Sequence, residues 1–260
     1  MTHTDTLIEG PKGRLFVRTW SPEASVRKAP IILLHDSLGC VQLWRGLPET
    51  LARATGRQVV AYDRLGFGES AAHPGKLGLD FINAEAEGDF DALRSQLGLE
   101  RFILLGHSVG GCMAINCAAR FGTYCVALLT LAAQVFVEDV TLQGIRAAKT
   151  LFEDPKQLER LRKYHGDKAQ WVLDAWTGSW LHPAFSAWSH EAVLPQVKCP
   201  TLVIHGMEDE YGSAAHARLI AERVTGPVQL EIQPGTGHFP HRENEAAVVE
   251  TLARFIQPLA

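Results

Sequence analysis

The chain has 260 residues, 46% of them hydrophobic and 21% charged, with a formal net charge of −4 at pH 7. That length and balance fit one large α/β domain, or a domain carrying an insertion, with a sizeable core. The basic residues are scattered and outnumbered by acidic ones, which argues against a nucleic-acid partner.

In chain order, the opening MTHTDTLIEGPKGRLFVRTW lacks a basic start followed by an apolar run, so no secretory signal is expected there. Within it, RLFVRTW (14–20) alternates like a half-exposed strand. PIILLH (30–35), QVVAYD (58–63), RFILLG (101–106), VALLTLA (126–132) and PTLVIHG (200–206) are continuous apolar runs, as expected of strands covered on both faces. VQLEIQP (228–234) reads as a further strand. Helical patterns near 41–55, 81–97, 108–121, 213–224 and 241–257 lie between or after these runs. The order predicts an α/β fold with a mostly parallel central sheet and helices on both faces. No stretch approaches the ~18 apolar residues of a membrane span, so no membrane partner is expected. The five cysteines (Cys40, Cys112, Cys117, Cys125, Cys199) are odd in number and lack CxxC spacing, the pattern of a reduced, cytoplasmic protein.

The strand rhythm breaks between Glu138 and Ala192, where only helical patterns such as TLQGIRAAKTLF and KQLERLRKYHG occur. QWVLDAWTGSWLHPAFSAW then holds Trp171, Trp176, Trp180 and Trp188, four of the chain's six tryptophans. A helical cap over 138–192 is expected, inserted in a core formed by 1–137 and 193–260. Packing the insertion onto the core would occupy the same tryptophans. Trp176 and Trp180, with Phe136 and Phe239, are the candidate pocket residues.

Chemistry concentrates at GHSVG (106–110), which matches G-x-S-x-G around Ser108. Small neighbours let a strand and a helix approach at a sharp turn that lifts out one hydroxyl. The helix that follows also aims free N–H groups and a partial positive charge at the reacting centre. A neutral serine hydroxyl is a weak nucleophile and needs a base, itself held by a third group. His238, in PGTGHFPHREN, and Asp209, in LVIHGMEDEYG, both follow strand candidates, at the sheet edge where α/β proteins bind ligands. His241 competes with His238 for the base, and Glu208 and Glu210 with Asp209 for the acid.

LLHDSLG, AYDRLGFGES, LLGHSVGG, LVIHGMEDE and PGTGHFPHREN resemble, in order and approximate spacing, the blocks of the α/β-hydrolase fold family over nearly the whole chain. The resemblance implies a Ser108–Asp209–His238 triad, in that family's chain order. It implies an oxyanion hole made by the backbone N–H groups of Ser37 and Val109. One departure is His35-Asp36 where the family often has His-Gly; Asp tolerates a left-handed turn and would bring a carboxylate near the site. His35, Asp63, Arg64 and Gly66 read as loop braces. The implied reaction is carboxylesterase-type hydrolysis of a small or medium substrate through an acyl-enzyme, with neither metal nor organic cofactor. Enol-lactonase, carbon–carbon bond hydrolase, cofactor-free haloperoxidase or perhydrolase, and non-turnover receptor stay open as alternatives on the same fold. For acidic substrates, Arg146, Arg160 and Arg162 of the insertion are candidate carboxylate binders. The expected partner is a small-molecule substrate, and a homodimer is left open.

Overall fold

The computed structural model describes residues 1–23 and 28–259. Residues 24–27 and 260, which fall in the ranges expected for the core, lie outside the described residues. Chain order begins with a hairpin of β1 (Thr2–Gly10) and β2 (Gly13–Ser21), registered with Gly10 opposite Gly13. Six further strands follow: β3 (Ile31–Leu34), β4 (Val59–Tyr62), β5 (Phe102–His107), β6 (Cys125–Leu131), β7 (Thr201–Gly206) and β8 (Val228–Gln233). They form one eight-stranded sheet in the order β1-β2-β4-β3-β5-β6-β7-β8. The pairs β1–β2 and β2–β4 are antiparallel and all others parallel.

Alternation along the central strands sends side chains into two separate cores. On one face Ile32, Leu34, Leu104, Leu128 and Val203 pack against α4 (Val109–Phe121), with α2 (Phe81–Glu87), α3 (Asp89–Gln96) and α8 (Ala215–Arg223) on the same side. On the other, Ile31, Leu33, Ile103, Leu105 and Leu202 meet α1 (Leu47–Thr55) and α10 (Glu245–Ile256). Each fully buried Leu or Ile contributes about 1.5–3 kcal/mol relative to exposure, so both helical layers are held chiefly by this burial. Continuous apolar runs are therefore what β3, β4, β5 and β7 require, and every residue of these four strands is buried.

Three differences from the expected elements have local causes. β1 was not expected: as an edge strand with only Ile8 buried, it carries a polar sequence. The single helix expected over 81–97 is two, because Gly88 (φ −108°, ψ −104°) leaves the helical region between α2 and α3. The helix expected over 241–257 is likewise split into α9 (Pro240–Glu243) and α10 by Asn244, at φ −146° and ψ 63°.

Between β6 and β7 lie α5 (Asp139–Leu151), α6 (Pro155–His165) and α7 (Ala169–Trp180). α6 and α7 share a small apolar cluster in which Leu161, Val172 and Leu173 surround Phe67, from the loop after β4. Among the described residues no helix is long and apolar enough to cross a membrane. All five cysteines are buried and unpaired.

Candidate active site

The sheet reverses its winding between β3 and β5, and the carboxyl ends of those strands open the crevice where such sheets bind ligands. β5 delivers Ser108 there. Its backbone sits at φ 54° and ψ −126°, a strained region for a residue with a side chain. α4 starts at the next residue. The turn closes because its neighbours have no side chains: a Cβ on Gly106 would lie 2.2 Å from Gly110 O, and one on Gly110 only 2.0 Å from Leu34 O. The Ser108 N–H donates to Leu131 O at 2.9 Å, tying the turn to β6. Among the described residues, the N–H groups of Ser37 and Val109 donate to no other group.

Asp209 and His238 arrive on the loops after β7 and β8. His238 Nδ1 lies 2.9 and 2.8 Å from Asp209 Oδ1 and Oδ2. With Nδ1–H donating to the carboxylate, Nε2 is left as the acceptor, the tautomer a general base needs. Asp209 Oδ1 also accepts the N–H groups of Tyr211 (2.8 Å) and Gly212 (3.2 Å). Burial works to raise the Asp209 carboxyl, but the bond and charge of His238, the Tyr211 N–H and nearby His205 hold it below the usual range. The base loop is fastened by acids the sequence reading did not assign to it. The His238 N–H donates to Glu210 Oε2 at 3.3 Å, and Gly237 and Phe239 N–H donate to Glu243.

Ser108 and His238 line one cavity of about 190 Å³, together with Asp36, Ser37, Gln134, Ile145, Trp176 and Tyr211. Among the described residues no hydrogen bond joins Ser108 Oγ to the His238 ring; the two share a wall. From the 138–192 segment, Ile145 of α5 and Trp176 of α7 line this cavity. Of the other pocket candidates, Phe239 lines this cavity and Trp180 a narrow void behind it. Phe136 is elsewhere: it bridges to Ser189 and packs on His216, ring centres 4.2 Å apart. Gln134, Ile145, Tyr211 and Arg242 were not singled out, since nothing local in their sequence marks them.

Of the competitors, Glu208 is exposed and Glu210 takes a backbone N–H. His241 is buried against Trp44 and His107, with ring centres at 5.3 and 4.6 Å. Asp36 needs no left-handed backbone, contrary to the rationale given for it: the positive-φ non-glycines among the described residues are Arg45, Ser108 and Ala132. Its carboxylate instead faces His107 Nδ1 at 3.2 Å and Arg242 Nη2 at 3.7 Å and accepts the Leu38 N–H. Burial opposes ionisation of Asp36, yet the His107 bond and the nearby Arg242 guanidinium hold it far below the usual carboxylate range. His107 Nε2 in turn lies 2.8 Å from His238 O. The braces behave as expected. The Arg64 N–H donates to His35 Nε2 at 3.2 Å, and Asp63 accepts Val41 N–H at 2.6 Å and Glu69 N–H at 2.7 Å. Arg146, Arg160 and Arg162 are exposed and line neither this cavity nor the void behind it.

Residues 31–251 match the family model described as "Alpha/beta hydrolase family". The chain belongs to the alpha/beta hydrolase family. Among curated relatives of this hydrolase, it is 32% identical over 200 residues to "Alpha/beta hydrolase domain-containing protein aho-3" of Caenorhabditis elegans, covering 76% of this chain and 48% of that one. It is 30% identical over 191 residues to "Serine hydrolase BPHL" of Homo sapiens, covering 70% and 64%. The chain thus spans about half of the first relative's length and just under two thirds of the second's. A proline iminopeptidase structure from Mycobacterium smegmatis superposes with a TM-score of 0.74 at 23% identity, covering 98% of both chains, and so shares the fold.

Proposed function

We propose that this alpha/beta hydrolase cleaves a small or medium ester-like acyl substrate through an acyl-enzyme on Ser108, as a carboxylesterase does. His238 Nε2 takes the Ser108 proton as Oγ attacks the carbonyl carbon, and Asp209 holds the ring and stabilises the imidazolium that forms. The Ser37 and Val109 N–H groups take the negative oxygen; loss of one such donor typically lowers kcat by ~100- to 1,000-fold. The leaving group departs with the proton from His238, and a water activated by the same ring cleaves the acyl-enzyme. The single observation that carries this reading is the Asp209–His238 bond beside Ser108 in one cavity. The two unpaired N–H groups flanking that cavity, and the likeness to a protein named a serine hydrolase, support it. The helical segment 138–192 acts in this reading as a cap that sets substrate size.

The test uses nitrophenyl acetate and a fluorophosphonate probe. Ser108→Ala is expected to lower kcat by about 10⁴-fold or more and to abolish labelling, with circular dichroism unchanged. Undiminished hydrolysis by pure Ser108→Ala protein defeats the proposal, and undiminished labelling of His238→Ala defeats the assignment of the base.

A further inference from the structure

The end of β6 holds a feature that the acyl-transfer steps leave unused. Ala132 sits at φ 51°, a left-handed backbone that is unfavourable for a residue with a side chain, and its N–H donates to Ile204 O at 2.9 Å. Strain of this kind persists only where the surroundings impose it, and it gathers at sites that must hold a group in place. Ala133 then packs against the first turn of α4, where a Cβ on Gly111 would lie 2.6 Å from Ala133 Cβ. Gln134 follows, its backbone oxygen accepting the Cys112 thiol at 2.9 Å. Because β5 lies between β3 and β6, the loops carrying Ser37 and Gln134 rise on opposite sides of Ser108.

Gln134 is 4% exposed, and its side-chain amide is anchored at one end. Nε2 donates to Tyr211 O at 2.6 Å, and Thr141 Oγ1 donates to the same carbonyl at 2.7 Å. That carbonyl fixes the orientation of the amide, since a flipped amide would set two acceptors against each other. Oε1 accepts no hydrogen bond among the described residues, and it is not one of the polar atoms sealed without a partner. Gln134 lines the Ser108 cavity, so the opening left to Oε1 is into that cavity. A lone fixed acceptor beside the apolar side chains of Ile145 and Trp176 is the kind of group that orients a small ligand.

We propose that Gln134 Oε1 selects the acyl group by accepting the O–H of a hydroxyl carried close to the scissile carbonyl; the preferred substrates are esters of short hydroxy acids. This rests on the hydrolase reading above and names its substrate class. In that reading the carbonyl oxygen turns to Ser37 and Val109 and the leaving oxygen to His238, which leaves the acyl chain the wall of Gln134, Ile145 and Trp176. A hydroxyl brings one donor to one free acceptor. An ammonium in the same place would bury three donors, and Asp36 is already engaged by His107, Arg242 and the Leu38 N–H.

The experiment compares nitrophenyl lactate with nitrophenyl isobutyrate, and nitrophenyl 3-hydroxybutyrate with nitrophenyl isovalerate; in each pair a methyl group replaces the hydroxyl. Each rate is divided by that ester's spontaneous hydrolysis, and nitrophenyl acetate reports on Ser108 chemistry. The wild type is expected to favour the hydroxy ester of at least one pair by about two- to tenfold in kcat/KM, the range of one neutral hydrogen bond. Methylating the hydroxyl keeps its oxygen, removes the donor and is expected to erase the preference with no change to the protein. Gln134→Met, similar in shape but without the acceptor, is expected to bring the hydroxy-to-methyl ratio to about one. That ratio compares two substrates on one protein, so a smaller folded fraction does not move it. Equal rates within both pairs, or a preference that survives methylation or Gln134→Met, overturns the proposal. Acetate turnover that depends on Ser108 leaves the hydrolase reading standing in that event, whereas absence of all ester turnover overturns both.

Discussion

At the scale of residues, Asp209 decides what His238 can do. Its carboxylate takes the ring Nδ1–H on one side and two backbone N–H groups on the other, so it is fixed before any substrate arrives. Asp209→Asn keeps an oxygen for Tyr211 and Gly212 but offers the ring an N–H as readily as an acceptor. It is expected to lower kcat by about 10⁴-fold, and to lower the melting temperature near neutral pH, where the ionised Asp209 contributes stability. Because the Asp209 carboxyl is depressed in the fold, its stabilising contribution is present above the ordinary value of 3.8 and is lost as pH falls through the folded value. Melting curves in acid therefore fall more steeply for the wild type than for the Asn variant. Ser108 and Asp209 were legible because each follows a strand announced by an apolar run, and His238 because it follows the alternating VQLEIQP strand. Arg64, Glu85, Gln134 and Tyr211 reach their cavities through contacts distant in sequence, which no spacing rule encodes.

At the scale of elements, the apolar runs made the parallel strands legible and the polar β1 illegible, because periodicity reports burial and β1 has almost none. The helix breaks at Gly88 and Asn244 escaped for a different reason: both residues also occur inside helices, and backbone angles decide. The segment between β6 and β7 shows how an aromatic cluster divides its work. Phe185 and Trp188 stack on each other, Trp180 packs edge-on against both to hold the segment down, and Trp171 packs edge-on against Phe67 at 5.6 Å. Trp176 alone of the four tryptophans lines the serine cavity. Trp176→Ala is thus expected to raise KM several-fold for small esters and to admit bulkier ones, read from kcat/KM across an acyl series. Trp180→Ala instead removes core, with a loss of about 3–5 kcal/mol in denaturant titration.

At the scale of the whole molecule, two buried carboxyls contribute to the pH response. Burial pushes Asp63 up to about 6 and Glu85 up to about 8, from ordinary values of 3.8 and 4.5. In both cases the fold favours the protonated form. The stability they contribute is complete below the ordinary values and lost as pH rises through the folded ones. Across that window the unfolded chain is already ionised while the native state still holds the proton. Relative to Glu85→Gln, wild-type stability in thermal melts is expected to decline from about pH 4.5 to about 8. A wild type and variant with parallel curves would place the proton elsewhere.

The seat of Gly110 against the carbonyl oxygens of Leu34 and His35 has a mechanical consequence. The first turn of α4 rests directly on the backbone that leads to Ser37, with no side chain between the two segments. The gap between the Val109 and Ser37 N–H groups is therefore a hard stop, fixed by van der Waals radii and not by any rotamer, ion pair or titrating group. Salt and pH leave that gap alone. Even one methyl at Gly110 wedges the stop open, so Gly110→Ala should depress turnover by the same factor at every ionic strength.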